Sequence, residues 1–132
     1  MARIFLGLLA ATFIGYGLAC LVSPSIVADT TGLLLPTGTA TAEVRAMYGG
    51  LQIGVGLLAL VALLREALRA PVLLCLGVML FGLASGRLVG LVVDSDAGTY
   101  NYAAFLFESL SAAASFALLS RANANAGVRA AT

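Results

Sequence analysis

The chain has 132 residues, of which 61% are hydrophobic and only 10% are charged, and its mean hydropathy is +1.07. Soluble domains carry about 45–50% apolar and about 25% charged residues, so this composition excludes an ordinary soluble fold. Disorder needs low hydrophobicity, and a net charge of +1 without a basic cluster argues against nucleic-acid binding. The sequence therefore predicts a small integral membrane protein.

The missing residue types exclude several kinds of site. The chain contains no His, no Lys and no Trp, so imidazole-ligated haem or zinc sites and nucleophiles paired with His are excluded. Cys20 and Cys75 are far apart and form no C-x-x-C pair. We therefore expect no metal ion and no cofactor, and apolar packing for both cysteines.

Four apolar stretches are long enough to be membrane-spanning helices, which need about 20 residues each. The first is too long for the apolar core of a signal peptide, so we expect it to be retained. The prediction is an all-α fold, a four-helix membrane domain over residues 1–120, followed by a disordered cytoplasmic tail at 121–132. The spans lie at about 4–22, 44–64, 71–93 and 100–119.

The distribution of charges between the spans predicts their orientation. One side holds arginines and the other holds aspartates, and arginines mark the cytoplasmic side. We therefore expect a multi-pass membrane protein with both termini and the short middle loop in the cytoplasm. The arginines are Arg3, Arg65, Arg69, Arg121 and Arg129, and the aspartates are Asp29, Asp94 and Asp96.

The connections differ in length and character. The short 65–70 connection predicts that the second and third spans form an antiparallel hairpin. The 23–42 connection contains Ile26, Val27 and the run 33–35, which are too apolar for a free loop. We expect this segment to lie on the membrane surface or to fold back over the bundle as a lid.

Four ionisable residues remain within or beside the spans, and they lie at similar depth. Glu43 and Arg45 begin the second span, Arg87 lies about 9 Å from the outer end of the third, and Glu108 lies about 12 Å into the fourth. We expect them to converge in the outer half of the bundle. Helical spacing places two further polar residues, Tyr48 and Gln52, on the same face of the second span as Arg45.

This predicted cluster has two interpretations. Charged residues within a membrane destabilise a helix by about 2.5–3.5 kcal/mol each, so stability alone does not explain them. They form either a buried ion-pair network that fixes helix register, with Tyr48 and Gln52 as hydrogen-bond partners, or a polar pocket open to the outer side for a small ligand or a proton.

Glycines predict where helices approach each other closely. Small residues at four-residue spacing favour such contacts in membranes. The candidates for helix packing are Gly49, Gly50, Gly54, Gly82, Gly86 and Gly90.

The run A-E-V-R-A-M-Y-G-G-L-Q at 42–52 resembles the signature of an uncharacterised bacterial family, a domain of unknown function found in small four-span inner-membrane proteins. Gly86, Arg87 and Glu108 resemble its pattern too, as do Tyr16 and Gly17 followed by Pro24. That family in turn is similar in architecture to the DoxX-like four-helix bundles. The resemblance implies a fold and a set of signature residues, but it supplies no reaction. The signature residues are Glu43, Arg45, Tyr48, Gly49, Gly50, Arg87 and Glu108.

Several functions fit these features. The favoured prediction is a membrane protein that has a structural role, binds a small ligand or lipid in the outer-side pocket, or serves as an accessory subunit, alone, as a homo-oligomer or in a larger complex. A second is a proton-coupled transporter, although the first span has no charged residue after Arg3. A third is a membrane enzyme with Glu108 or Glu43 as general acid/base and Arg87 orienting the substrate.

Overall fold

The computed structural model describes residues 1–94 and 98–131, with side chains up to residue 124. Asp96 and the side chain of Arg129, both used to predict orientation, lie outside the described residues. The described part of the chain is helical and contains no strand. Its helices are α1 (Ala2–Val22), α2 (Ser25–Thr31), α3 (Gly38–Val44), a π-helix (Arg45–Gly50), α4 (Leu51–Leu64), a 3₁₀ turn (Glu66–Leu68), α5 (Arg69–Val93) and α6 (Thr99–Ala131).

Four helical segments among the described residues are long and apolar enough to cross a membrane, which confirms the predicted all-α, four-span fold class. Helices satisfy every backbone hydrogen bond within the segment, as a hydrocarbon environment requires. The second segment is longer than predicted because α3, the π-helix and α4 follow one another without a break. The segments are Ala2–Val22, Gly38–Leu64, Glu66–Val93 and Thr99–Ala124.

The chain forms two compact units, Met1–Leu64 and Arg65–Thr132. In the first unit α1 packs against α4 and the π-helix, and in the second unit α5 packs against α6. The predicted hairpin of the second and third spans would cross the boundary between the units and stays a prediction, as does the single domain over 1–120. The backbone of α6 is helical up to Ala131, where the sequence predicted a disordered tail from 121.

Three glycines bring α1 against the π-helix and α4 backbone to backbone. A Cβ added at Gly17 would lie 2.8 Å from the carbonyl oxygen of Gly49, and one added at Gly56 would lie 2.9 Å from the backbone nitrogen of Ile14. A Cβ at Gly49 would lie 3.1 Å from the Cα of Leu21. Only glycine permits this separation, so the α1–α4 seam depends on these positions.

The other glycines predicted for helix packing have a different environment. A Cβ at Gly54, Gly82 or Gly86 would meet no described atom within 4 Å, and Gly50 and Gly90 approach only residues near them in the sequence, Arg45 and Asp94. Close packing at these five glycines therefore stays a prediction. In the second unit the close approach is instead at Gly77, where an added Cβ would lie 2.8 Å from the ring of Phe116.

The connection between the first two spans folds onto its own unit. Helix α1 ends at Val22. Pro24 is the N-cap of α2, and Gly32, its C-cap, has a left-handed conformation with φ of 75°. Val27 of α2 is fully buried with Cys20 and Val44, and Leu35 packs against this cluster. Val27 and Leu35 thus form a cover over one end of the first unit, while Ile26, Leu33 and Leu34 of the connection are exposed. Of the two free cysteines, Cys20 is buried here, whereas Cys75 of α5 is exposed.

Candidate functional site

A polar cluster joins α5 to α6, and we call its members, Arg87, Tyr100, Asn101 and Glu108, the Arg87 cluster. Arg87 Nε donates to both carboxylate oxygens of Glu108, each at 2.9 Å. Arg87 Nη1 donates to Asn101 Oδ1 at 3.1 Å. The guanidinium carbon lies 5.3 Å from the centroid of the Tyr100 ring, which is within cation–π range. One arginine is therefore held by three residues of α6.

The geometry of the pair favours a structural role for it. The Glu108 side chain is only 8% exposed and that of Arg87 is 23% exposed. An isolated charge at this burial would be strongly unfavourable, but each charge has its counter-ion at hydrogen-bond distance. Both Glu108 oxygens are occupied by the same N–H group, so the carboxylate is directly neutralised. The pair can thus fix the register of α5 against α6.

The inward face of α6 continues below Glu108 with two small polar residues. Ser111 and Ser115 are buried, and Ser115 Oγ donates to the Ser111 carbonyl oxygen at 2.8 Å. A serine that bonds back along its own helix needs no partner from another element. Glu108, Ser111 and Ser115 are three and four residues apart, so they lie on one face of α6, and all three are buried.

In the first unit, the π-helix carries Arg45 at its start. Arg45 Nε donates to the carbonyl oxygen of Leu21 at 3.1 Å. Leu21 lies in the last turn of α1, whose carbonyl groups have no partner within the helix and carry partial negative charge. Arg45 therefore caps the C-terminus of α1 and ties the π-helix to it.

A groove of about 240 Å³ lies beside the π-helix, between α3 and the apolar part of the connection. We call it the π-helix groove. Its walls are mainly leucine, valine, alanine and methionine side chains, with one carboxylate and one phenol among them. The lining residues are Leu33, Leu34, Leu35, Ala40, Glu43, Val44, Met47 and Tyr48.

The two polar residues of the groove differ in their surroundings. Tyr48 is half-buried and packs against the cluster of Cys20, Val27 and Val44. Glu43 is exposed, and among the described residues it makes no ion pair and no side-chain hydrogen bond. The groove therefore presents one uncompensated negative charge to a largely apolar space.

The six polar residues predicted from the sequence lie in both units. Arg87 and Glu108 pair in the second unit, while Glu43 and Tyr48 line the groove in the first. Arg45 bonds to α1 beside that groove, and Gln52 is half-buried in α4 and is not among the described lining residues. Convergence of all six would involve both units and stays a prediction.

A second groove, of about 450 Å³, runs between α5 and α6. Phe81, Phe105 and Phe116 contribute to its wall, and its described polar lining consists of Ser85 and Ser109. Binding sites usually combine apolar walls with a few polar groups that orient the ligand. Because the described lining of this groove holds no ionisable side chain, the π-helix groove is the better candidate.

The sequence reasoning did not identify some residues of both sites. Tyr100 was not among the predicted site residues, because it stands at the very start of the predicted fourth span. Nothing in the residue types of Met47 and Ala40 marks them as lining a groove. The run Leu33–Leu35 could have been predicted to pack against the protein, because it is too apolar for a solvated loop.

Comparison with known proteins identifies a family for this chain. The family model DUF4345, described as a domain of unknown function, matches residues 1–119. No curated protein and no solved structure matches the chain. Since the family model covers most of the chain, the protein belongs to the DUF4345 family.

Proposed function

We propose that this small membrane protein binds a small amphipathic molecule from the bilayer in the π-helix groove. The single observation that carries the proposal is the composition of that groove, an apolar wall with Glu43 and Tyr48 as its polar groups. π-helices are rare and occur frequently at functional sites. The π-helix supplies two of the lining residues, Met47 and Tyr48.

The size of the groove limits the ligand. A volume of about 240 Å³ holds about eight groups of the size of a water molecule, at roughly 30 Å³ each. That space suits one short apolar tail or the end of a longer chain. The proposed ligand therefore has a single apolar tail in the groove and a polar head at Glu43.

The Arg87 cluster has a separate role in this proposal. Direct pairing of Arg87 with Glu108 supports the interpretation that the pair holds α5 to α6. Because the charge of Glu108 is already neutralised by Arg87, Glu43 is the carboxylate that remains available to a ligand. The proposal thus assigns the predicted ionisable residues to two tasks, ligand contact at Glu43 and helix register at Arg87 and Glu108.

Methionine methyl groups provide a direct test. The chain has three methionines, and Met47 lines the groove while Met79 lies in α5. We would label the methionine methyl groups with ¹³C, place the full chain in phosphatidylcholine nanodiscs and titrate with 1-octanol. We expect a saturable shift of the Met47 resonance with Met79 unchanged.

A matched pair of variants defines the control. Ala40→Phe should fill the groove and abolish the shift, whereas Ala42→Phe, in the same helix but outside the described lining, should leave it intact. If Met47 and Met79 respond alike, or if Ala40→Phe changes nothing, the groove is not a binding site.

The same proposal includes the cellular setting. We infer a bacterial inner-membrane location with both termini and the 65–69 connection in the cytoplasm. What supports it is the placement of Arg3, Arg65 and Arg69 against that of Asp29 and Asp94. The π-helix groove would then open at the outer face.

A further inference from the structure

We propose that the π-helix groove selects amphipathic molecules with a cationic, hydrogen-bonding head group, such as a primary ammonium. This inference rests on the proposed function and names the ligand class. Its basis is the chemistry of the groove, since Glu43 is the one carboxylate in the described lining, which holds no basic side chain.

The environment of Glu43 leaves its charge available. The carboxylate has no ion-pair partner among the described residues. The nearest basic residue in the sequence, Arg45, donates through Nε to the Leu21 carbonyl oxygen. Residues two apart on a helix do not share a face, so Arg45 is poorly placed to neutralise Glu43.

A second acidic residue lies in the first unit. Asp29 is in α2, in the same connection as the lining residues Leu33–Leu35, and it is exposed. Among described residues of the first unit, the remaining basic side chain is Arg3, near the start of α1. An anionic head group at the groove would therefore meet repulsion from Glu43 without a basic partner in its lining.

The carboxylate of Glu43 can distinguish between head groups. It binds an ammonium through a charge-assisted hydrogen bond, which is roughly twice as strong as a neutral one. A neutral hydroxyl head can still donate to Glu43 and leaves its tail in the same apolar space. Among amphiphiles that share one tail, affinity for the groove should therefore be highest for a cationic head group, intermediate for a neutral one and lowest for an anionic one.

The test compares octylammonium, 1-octanol and octyl sulfate, which share one tail. Each is titrated into the labelled full chain in phosphatidylcholine nanodiscs, and the Met47 shift is plotted against the mole fraction of probe in the bilayer. A zwitterionic lipid limits unequal partitioning caused by membrane charge. We expect octylammonium to bind at least about tenfold more tightly than octyl sulfate, a factor typical of one hydrogen bond to a charged group.

Variants assign this preference to one residue. Glu43→Gln should remove the preference for the cation while keeping the response to 1-octanol, and Glu43→Asp should keep part of the preference. Asp29→Asn is the matched control and should retain the full ranking. The far-UV circular dichroism spectrum and thermal midpoint of each variant verify that it is folded.

The outcomes separate the two proposals. A Met47 response to 1-octanol without charge preference, or a preference that survives Glu43→Gln, overturns the ligand class and leaves the groove as a binding site. The absence of a Met47 response to all three probes overturns both.

Discussion

At the scale of single residues, two ion pairs of this chain differ mainly in burial. The Glu108 side chain is 8% exposed and bonds Arg87, whereas the Glu66 side chain is 80% exposed and lies 3.2 Å from Arg69. Buried pairs that lose one partner leave an uncompensated charge, while exposed pairs are screened by solvent. Stability should therefore respond very differently to the same change at the two acids.

We predict that Glu108→Gln lowers the free energy of unfolding by about 2 kcal/mol, because Arg87 keeps its charge and loses its counter-ion. Glu66→Gln should change it by no more than about 0.5 kcal/mol. Thermal unfolding in a mild detergent, followed by circular dichroism, measures both. An unchanged midpoint for Glu108→Gln would contradict a role of the pair in helix register.

The close contact of α1 with α4 gives a second prediction at this scale. In Gly56→Ala the new methyl group would lie 2.9 Å from the Ile14 nitrogen, and such overpacking destabilises by about 1–3 kcal/mol. Gly54→Ala in the same helix meets no described atom within 4 Å and should change stability by no more than about 1 kcal/mol. The same unfolding assay compares them, and equal effects would refute the assigned seam.

At the scale of elements, the positions of the helices could be predicted from the sequence, but which face of each helix packs against its neighbour could be predicted less well. Span length follows from apolar composition, and the pairing of Arg87 with Glu108 follows from their depth. The π-helix left no signal because its six residues, Arg45–Gly50, are compatible with an ordinary α-helix. Its wider turn changes the spacing at which residues share a face, so the regular helical spacing used to place Tyr48 and Gln52 with Arg45 does not hold there.

Glycine spacing illustrates a related limit. A small residue permits close contact between two helices, but the position of the neighbouring helix determines at which small residues that contact occurs. Gly49 and Gly56 are seven residues apart and both meet α1, while Gly54 between them meets no described atom within 4 Å. Composition alone does not distinguish these positions.

The cover over the first unit depends on how α2 ends. Gly32 has φ of 75° and a Cβ there would meet no described atom within 4 Å, so Gly32→Ala introduces backbone strain without a clash. We predict a loss of about 1 kcal/mol in the local stability of α2. Amide hydrogen exchange of residues 25–32 in detergent measures it. Gly38→Ala, in open space at ordinary φ, is the control and should not speed exchange.

At the scale of the whole molecule, the open question with the largest effect on function is orientation. Composition and length predict four spans, and the described helices agree. The charges at the span ends predict which side of the membrane each end occupies. Labelling of single cysteines in intact cells measures that side directly.

We predict that a cysteine placed at Asp29 in a background without Cys20 and Cys75 is labelled from outside intact cells by a membrane-impermeant thiol reagent. Cysteines at Arg3 or Arg65 should be labelled only after the cells are opened, because arginines favour the cytoplasmic side. Labelling of Arg3→Cys in intact cells would reverse the proposed topology and place the π-helix groove on the cytoplasmic face.

The π-helix also has a genetic consequence. A π-helical segment differs from an α-helix by one extra residue within a turn, so deletion of one codon between 45 and 50 would restore α-helical spacing. The wider turn takes up the extra residue locally, so Glu43 would keep its face of the helix. The wall formed by Met47 and Tyr48 would lose one residue and change shape. Homologues lacking this residue would keep four spans with an altered groove, so the presence or absence of one residue would distinguish two branches of the family.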